Sequence, residues 1–291
     1  MTLATVLINS FNYAGYLGAA ITSALDQDWP ETEVVVVDDG STDESREVIE
    51  QFGDRVEAVL KSNGGQASAF NAGFERARGE VMLFLDADDW FLPGKVRTVM
   101  ETFAAHPDIG WCFHRLAYDG GRAGEQRGGT GRIDARAAMR RGRAHGALAP
   151  ATTGISIRRP LLERILPMPE HFRITADNFV KTAALALAPG IVLDEALAVQ
   201  RIHAANAFTG SDGTDPRRAV LELQIAAELR RRWPEVRQHA VRRGLGGLKA
   251  MAALDEPPAE ATAAAAAFLE GCSPTDRLRV RAHRQLWRWR R

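Results

Sequence analysis

The sequence predicts an α/β protein with a mixed, mostly parallel sheet flanked by helices, followed by a helical C-terminal extension. Short apolar runs typical of buried strands alternate with helical segments through the first two hundred residues. Polar, often aspartate-containing turns follow several of these runs, as expected where buried strands end. After about residue 210 the strand-like runs stop, and helical segments rich in Ala and Arg remain.

Four strand-like runs occur in the first hundred residues. Each is short and rich in Val, Ile or Leu, as buried parallel strands are. The runs lie at 4–8, 33–37, 56–60 and 81–85. Helical spacing of apolar residues separates them, at 16–25, 44–52 and 66–78. This alternation predicts β-α-β units with right-handed crossovers.

The remaining segments follow a less regular pattern. Residues 119–132 are rich in Gly and Arg, which predicts a loop or a β-ribbon of weak register. Further strands are expected at 109–114, 152–157, 191–193 and 197–202. Further helices are expected at 93–106, 134–142, 158–166, 177–187, 216–233, 235–254 and 259–269.

The bulk composition excludes several classes of protein. Lys plus Arg number 37 and Asp plus Glu number 37, so no net charge attracts the whole chain to nucleic acid or to an anionic membrane. Cys112 and Cys272 are far apart in sequence and form no metal-type cluster, which suits a reducing cytosol. The sequence shows no signal-peptide pattern and no uncharged apolar run of the roughly 18 residues that a membrane span needs. We therefore expect a soluble, cytoplasmic protein without a nucleic-acid partner.

The stretch from Gly79 to Pro93, GEVMLFLDADDWFLP, joins a buried strand to a cluster of acidic residues. Its apolar run ends in Asp86, Asp88 and Asp89. Ligands of open α/β sheets bind outside the carboxyl ends of the strands, and carboxylates there would repel a phosphate unless a divalent cation joined them. The pattern predicts such a cation site. The alternative is an acidic turn that caps the next helix, with Asp89 as the cap residue.

Two common phosphate-binding motifs are missing. No G-x-G-x-x-G follows the first strand, and no G-x-x-x-x-G-K-[ST] occurs, which argues against a nicotinamide dehydrogenase and a P-loop NTPase. A nucleotidyltransferase would also use carboxylates and Mg²⁺ at strand ends. However, its Gly- and Lys-rich phosphate loop is expected near the first strand, and residues 1–30 contain no Lys or Arg.

Six blocks occur in the order LINSFNYAGYL, VVVVDDGSTD, NGGQASAFNAGF, GEVMLFLDADDWFLP, TADNF and QRIHAAN. In order and spacing they resemble the family 2 glycosyltransferases of the GT-A fold, which are inverting, metal-dependent enzymes that use nucleotide sugars. The resemblance covers about Thr2 to Phe208. It implies a catalytic domain at 1–210, with a nucleotide-binding half at about 1–115 and an acceptor half at 116–210, and it leaves 211–291 as a helical extension.

The resemblance implies that the loop after the first strand and the end of the second strand hold the nucleotide. Asn9 and the rest of this loop would contact base and ribose. The ring of Phe11 offers a face for stacking, and Asp39 can accept a hydrogen bond from the imide N–H of uracil or thymine. Gly64 and Gly65 would let the backbone approach the nucleotide. The alternatives are a core aromatic at Phe11 and a plain turn at the two glycines.

Asp86, Ala87 and Asp88 match the D-x-D motif of the family. The resemblance implies that Asp88 binds a Mn²⁺ or Mg²⁺ ion between the two phosphates and that Asp86 contacts ribose or sugar. His203, in an R-x-H-x-x-N pattern, matches a histidine near the diphosphate and the metal, and an imidazole can ligate a cation. A structural histidine at a strand end is the alternative.

Asp177, in the block TADNF, matches the position of the general base in the family. An inverting transfer needs one carboxylate to take the proton of the acceptor hydroxyl, since the metal-bound diphosphate leaves without a protonating acid. The alternative for Asp177 is a helix N-cap, because an Asp before a helical run has the pattern of a cap.

These features predict an inverting glycosyltransferase that moves a sugar from a UDP- or dTDP-linked donor to a hydroxyl of a saccharide, a lipid carrier or a small molecule. The reaction would serve glycan, cell-surface polysaccharide or glycolipid synthesis. Alternatives are a nucleotidyltransferase and a nucleotide-sugar binding module without catalysis. Residues 273–291 carry seven arginines with Trp287 and Trp289. This tail is expected either to lie peripherally on the inner face of a membrane or to pack on the catalytic domain or on a second subunit of a homodimer.

Overall fold

The computed structural model describes residues 1–119, 126, 128–143, 148–203, 206, 215–278 and 280. The chain divides into two units. The first consists of Met1–Asp134 and Gly146–Thr209, and the second consists of Ala135–His145 and Gly210–Arg291.

The strands belong to the first unit, and the described residues form one mixed sheet of nine strands. In chain order they are β1 (Ala4–Ser10), β2 (Thr32–Asp38), β3 (Glu57–Leu60), β4 (Val81–Asp86), β5 (Trp90–Phe91), β6 (Trp111–Asp119), β7 (Gly131–Ile133), β8 (Ile155–Arg158) and β9 (Gly190–Arg201). The helices of the whole described chain are α1 (Ala14–Leu25), α2 (Ser45–Glu50), α3 (Gln66–Arg76), α4 (Lys95–Ala105), α5 (Arg136–Arg140), α6 (Arg159–Ile165), α7 (Ala176–Leu187), α8 (Pro216–Arg232), α9 (Arg237–Ala252) and α10 (Ala259–Glu270).

The sheet has the strand order β3-β2-β1-β4-β8-β6-β9-β5, and β7 pairs with β9. Strands β3, β2, β1 and β4 run parallel, as do β6 and β9, whereas β8 lies antiparallel between β4 and β6. The predicted mixed, mostly parallel α/β sheet is therefore confirmed. Because β1, β2 and β4 are parallel, their carboxyl ends meet at one edge of the sheet.

Both faces of the central strands are buried, which explains their almost continuous apolar sequence. Val6, Val36 and Leu83 belong to the hydrophobic core that includes residues of α1 and α4. The opposite face packs against α3. A Cβ atom added to Gly73 of α3 would lie 2.2 Å from Leu7 Cδ1, so glycine at this position lets the helix lie close to β1.

Some predicted boundaries differ from the structure. The run expected as a strand at 152–157 begins as a 3-10 turn at Thr152–Gly154, and only its end forms β8. The runs expected as two strands at 191–193 and 197–202 form the single strand β9, whose register with β6 is irregular. A bulge of this kind accommodates polar residues that resemble a turn in the sequence. Strand β5 has two residues, too few to show a periodic pattern.

The second unit is helical in its described part. Helices α8, α9 and α10 pack together around an apolar cluster that includes Leu223, Ala226 and Phe268. Asp215 caps α8, since its side chain accepts a hydrogen bond from the backbone N–H of Arg217. The short basic helix α5 belongs to this unit, which its position in the sequence does not indicate.

No helix in the described part of the chain has the length and apolarity needed to cross a bilayer.

The basic tail and the glycine-rich segment predicted from the sequence are only partly described. The end of the basic tail, 281–291, and residues 120–125 of the glycine-rich segment lie outside the described residues.

Candidate active site

A cavity of about 780 Å³ lies at the carboxyl ends of β1, β2 and β4. Residues of 63–69, 149–152 and 173–181, together with Gln200 and Asn206, also line it. Gly64 and His203 do not line the cavity, but each is hydrogen-bonded to a carboxylate that does. The cavity brings together six of the residues named from the sequence, namely Asn9, Phe11, Asp39, Asp86, Asp88 and Asp177.

Three carboxylates follow one another at the end of β4. The backbone N–H of Asp89 donates to the carbonyl oxygen of Asp86 at 3.1 Å, which closes the turn. The buried side chain of Asp89 accepts hydrogen bonds from the hydroxyl of Thr153 and, at 2.9 Å, from the backbone N–H of Arg201. Asp89 therefore does not cap α4, and the helix-cap interpretation of this residue is wrong.

The crowding of these carboxylates makes ionisation unfavourable. Burial raises the pKa of Asp86 well above its usual range, and the charges of Asp89, Asp88 and Asp177 raise it further. Burial, together with the charge of Asp88, raises the pKa of Asp89 to about 7. Burial also raises the pKa of Asp88, although its hydrogen bond with His203 opposes this shift. A divalent cation at this end of the cavity would favour the ionised forms of all three groups.

All three residues of the R-x-H-x-x-N pattern contact Asp88. Arg201 Nε donates to the carbonyl oxygen of Asp88 at 3.1 Å. His203 Nε2 lies 3.0 Å from Asp88 Oδ2, and the side-chain amide of Asn206 donates to the same oxygen at 3.1 Å. The imidazole of His203 also stacks on the ring of Tyr16, with 4.9 Å between the centroids. These contacts fix the histidine beside the acidic cluster.

The residues around Asp88 are chemically suited to a divalent cation. Asp88 offers a carboxylate oxygen and His203 an imidazole nitrogen, and the two atoms already lie side by side. Among the described residues no three His, Cys, Asp or Glu side chains converge on one point as a complete metal site. Mg²⁺ is usually held by one or two carboxylates together with substrate phosphates, so an incomplete protein site fits this use.

Asp39 organises the turn before α3. Its Oδ1 accepts hydrogen bonds from Lys61 Nζ at 2.6 Å and from the backbone N–H of Gly64 at 3.0 Å, and its Oδ2 accepts the N–H of Gly65 at 2.6 Å. The described residues thus fill three of about four acceptor positions on the carboxylate. One position on Oδ2 remains for a ligand. Asp38 points elsewhere and binds Arg46 Nε at 2.8 Å.

Gly65, rather than Gly64, is the glycine of this turn that lines the cavity. Its φ is +89°, and an added Cβ would lie 2.6 Å from the backbone Cα of Arg173. Gly65→Ala is therefore expected to lower the free energy of unfolding by about 1–3 kcal/mol, measured by urea denaturation. Gly15→Ala is the matched control, because Gly15 lies in α1 and, among the described residues beyond its own helix turn, none comes within 4 Å of the added Cβ. This control should be neutral or stabilising by up to about 1 kcal/mol, and equal effects of the two changes would contradict the strain at Gly65.

Phe11 is an exposed aromatic of the cavity wall. Its exposed fraction is 43%, and it follows β1 directly. The core-aromatic interpretation of Phe11 is therefore wrong. A large apolar ring that borders a cavity provides a face on which a nucleotide base can stack.

Phe11→Ala is expected to weaken UDP binding about tenfold or more, since stacking of one base contributes about 1–3 kcal/mol. Isothermal titration calorimetry with UDP and Mn²⁺ measures the change. Leu60→Ala is the matched control, because Leu60 is 47% exposed at the end of β3 but does not line the cavity. If both variants bind UDP as the unaltered protein does, Phe11 does not stack on the base.

Asp177 is the second residue of α7 and lines the cavity. Thr175 occupies the N-cap position, with φ +52°, so the helix-cap interpretation of Asp177 is wrong. Asp177 Oδ2 instead accepts a hydrogen bond from Lys181 Nζ at 2.6 Å. Lys181 also donates to the carbonyl oxygen of Pro150 at 2.6 Å, and both charged side chains are buried.

The sequence alone predicts no role for Lys181, Lys61 or Thr153. Lys181 had a local signal, because it follows Asp177 by four residues and so lies on the same face of a predicted helix. Thr153 had none, since its contact with Asp89 joins positions 64 residues apart. Lys61 contacts Asp39 across 22 residues, through the pairing of β2 with β3.

The sequence profile described as glycosyl transferase family 2 matches residues 5–166, which is more than half of the chain. The chain belongs to glycosyltransferase family 2. An uncharacterized glycosyltransferase of Nostoc sp. is 39% identical over 212 residues, covering 69% of this family 2 chain and 65% of the relative. The chain thus spans slightly less than two thirds of the length of that relative. The family membership expected from the six blocks is confirmed.

Solved structures resemble this family 2 protein in fold. The S. aureus protein TarS in complex with UDP-GlcNAc has a TM-score of 0.66 at 21% identity, over 85% of this chain and 72% of TarS. A mannosyltransferase from Pyrobaculum calidifontis in complex with GDP-Man and Mn²⁺ has a TM-score of 0.58 at 20% identity, over 98% of this chain and 80% of the other. The GT-A fold expected from the sequence is therefore confirmed for this family 2 chain.

Proposed function

We propose that the protein transfers a sugar from a nucleoside diphosphate donor to an acceptor hydroxyl, with inversion and with the help of a divalent cation. The observation that carries the proposal is the presence of Asp39, Asp88 and Asp177 in one cavity. Its volume of about 780 Å³ falls within the range of about 300–1,000 Å³ typical of pockets for small molecules. Family membership supports the same reaction class.

The donor would bind with its base near Phe11 and Asp39. The free acceptor position on Asp39 Oδ2 suits an imide N–H, which uracil and thymine both present. This argument supports a UDP- or dTDP-linked donor. Asn9 and Asp86 lie side by side on β1 and β4, where they would contact ribose or sugar.

The diphosphate would lie at Asp88 and His203, which would hold Mn²⁺ or Mg²⁺. Bound there, the cation supplies Lewis-acid stabilisation of the leaving nucleoside diphosphate. Burial and mutual repulsion make Asp86 and Asp89 hard to ionise, and a cation bound at this end of the cavity would favour their ionised forms.

Asp177 would act as the general base. Its carboxylate takes the proton of the acceptor hydroxyl while that oxygen forms a bond to the anomeric carbon. The bond from the anomeric carbon to the diphosphate breaks on the opposite side, and its electron pair leaves with the nucleoside diphosphate. Attack opposite the leaving group inverts the anomeric centre. The acceptor would be a hydroxyl of a saccharide, lipid carrier or small molecule in polysaccharide or glycolipid synthesis.

A thermal-shift screen with UDP, dTDP, GDP and CMP, each with and without Mn²⁺, tests the binding part of the proposal. We expect UDP or dTDP to raise the Tm most, and only when Mn²⁺ is present. Hydrolysis of UDP-glucose or UDP-GlcNAc with Mn²⁺ then tests catalysis without a known acceptor, because water replaces the acceptor hydroxyl. Binding without hydrolysis would indicate a nucleotide-sugar binding module, and the absence of nucleotide binding would reject the proposal.

A further inference from the structure

Lys181 is a buried cation that lines the cavity beside the proposed base. The spacing of four residues puts its side chain on the same face of α7 as that of Asp177. The exposed fractions of the two side chains are 7% for Lys181 and 9% for Asp177. Burying an ammonium group is costly unless it is paired and hydrogen-bonded, and Lys181 meets both conditions through Asp177 and the Pro150 carbonyl.

The segment 150–153, called the strap below, connects this ion pair to the acidic cluster. At one end, the Pro150 carbonyl accepts the hydrogen bond from Lys181. At the other end, the hydroxyl of Thr153 binds Asp89 and accepts the backbone N–H of Asp86 at 3.2 Å. The strap therefore contacts the proposed base through Lys181, and it contacts the Asp89 carboxylate and the Asp86 backbone through Thr153.

A second buried lysine holds the strap at its other end. Lys95 Nζ, on α4, donates to the carbonyl oxygen of Thr153 at 2.6 Å, and its side chain is fully buried. Each lysine thus fixes one carbonyl of the strap. Of the two, Lys181 is the one whose ammonium group also touches the proposed base.

The geometry of the ion pair distinguishes the two oxygens of Asp177. Lys181 occupies Oδ2, whereas no described residue donates a hydrogen bond to Oδ1. The cavity also contains Asp86 and Asp88, which would repel the charge of Asp177. The ammonium group of Lys181 opposes this repulsion and restricts rotation of the carboxylate.

We propose that Lys181 is a positioning residue for the sugar transfer: it fixes the Asp177 carboxylate so that Oδ1 is presented to the acceptor hydroxyl. The inference rests on the proposed function, in which Asp177 is the base. A misplacement of about 1 Å can lower a rate about a hundredfold, so a contact of this kind is expected to affect catalysis without affecting nucleotide binding.

A double-mutant cycle tests this role. The proteins are the unaltered chain, Lys181→Met, Asp177→Asn and the double variant, with Lys181→Arg as the conservative replacement. For each, kcat and KM are measured for Mn²⁺-dependent hydrolysis of UDP-glucose or UDP-GlcNAc, whichever the unaltered protein hydrolyses faster. Calorimetry gives the affinity for UDP with Mn²⁺, and the Tm reports folding.

We expect Lys181→Met to lower kcat about a hundredfold, with KM and UDP affinity changed by less than about twofold, and Lys181→Arg to recover part of the activity. In the Asp177→Asn background, Lys181→Met should cause no further loss, because the two residues act as one unit. A merely structural role would weaken UDP binding and would lower kcat equally in both backgrounds.

Other outcomes would overturn the inference in separable ways. Near-normal kcat in Lys181→Met, or losses that multiply in the double variant, would reject the role of Lys181 while leaving the proposed function in place. An unaltered protein that neither binds UDP nor hydrolyses a donor would reject the proposed function, and the role of Lys181 with it. If Lys181→Met does not fold, the same cycle with Lys181→Gln decides between these outcomes.

Discussion

Asp88→Asn is expected to abolish sugar transfer and donor hydrolysis, with a loss in kcat of about a thousandfold. The carboxylate of Asp88 would hold the cation that stabilises the leaving diphosphate, a contribution of several kcal/mol in the transition state. An amide keeps an oxygen that can accept from Asn206 but loses the negative charge. The fold should therefore persist. Steady-state hydrolysis of UDP-glucose or UDP-GlcNAc with Mn²⁺ measures the effect.

The same variant should lose most of the Mn²⁺ dependence of UDP binding in calorimetry. Asp54→Asn is the matched control, because it removes one carboxylate from an exposed turn outside the cavity. Normal turnover in Asp88→Asn, or an equal loss in Asp54→Asn, would show that Asp88 does not carry the proposed role.

Asp177→Asn is expected to lower kcat by about a hundredfold to ten-thousandfold, the range typical for loss of general base catalysis. The asparagine side chain has nearly the same shape and can still accept a hydrogen bond from Lys181, so α7 and the cavity should be retained. A stopped assay for the released nucleoside diphosphate provides the measurement.

Nucleotide binding separates this effect from that of Asp88. Asp177→Asn should bind UDP with Mn²⁺ as tightly as the unaltered protein, because Asp177 would contact the acceptor rather than the diphosphate. Glu163→Gln, an exposed change on α6, is the control for removal of a carboxylate. Retention of near-normal hydrolysis by Asp177→Asn would exclude Asp177 as the base.

The sequence predicted those parts of the fold that depend on local patterns. The run at 81–85 is apolar throughout, and the run at 4–8 is apolar except for Thr5, because both faces of β1 and β4 are buried. A pattern of this kind is visible within one segment. The position of Asp86 and Asp88 at a strand end follows from the same local pattern. Their proximity to Asp39 then follows from the parallel order of β1, β2 and β4.

Contacts between distant segments were not predictable in this way. The pairing of Asp88 with His203 joins positions 115 residues apart, and only the family resemblance indicated it. The burial of Asp89 against Thr153 had no local signal, and its spacing before a helix resembled that of a cap. The cap interpretation of Asp177 failed for a related reason. An Asp that caps a helix and an Asp within the helix that pairs with a residue four positions later give similar sequence patterns.

The strand order determines whether the chain can be divided into fragments that fold by themselves. Strand β8 pairs with Val81–Leu83 of β4 on one side and with β6 on the other, so residues from beyond position 116 complete the middle of the sheet. A fragment ending at position 115 would leave N–H and C=O groups of β4 without their partners in β8, and an exposed apolar edge strand is prone to intermolecular pairing. The predicted nucleotide-binding half and the predicted acceptor half are therefore expected to fold only together, and chimaeras joined at that point should aggregate.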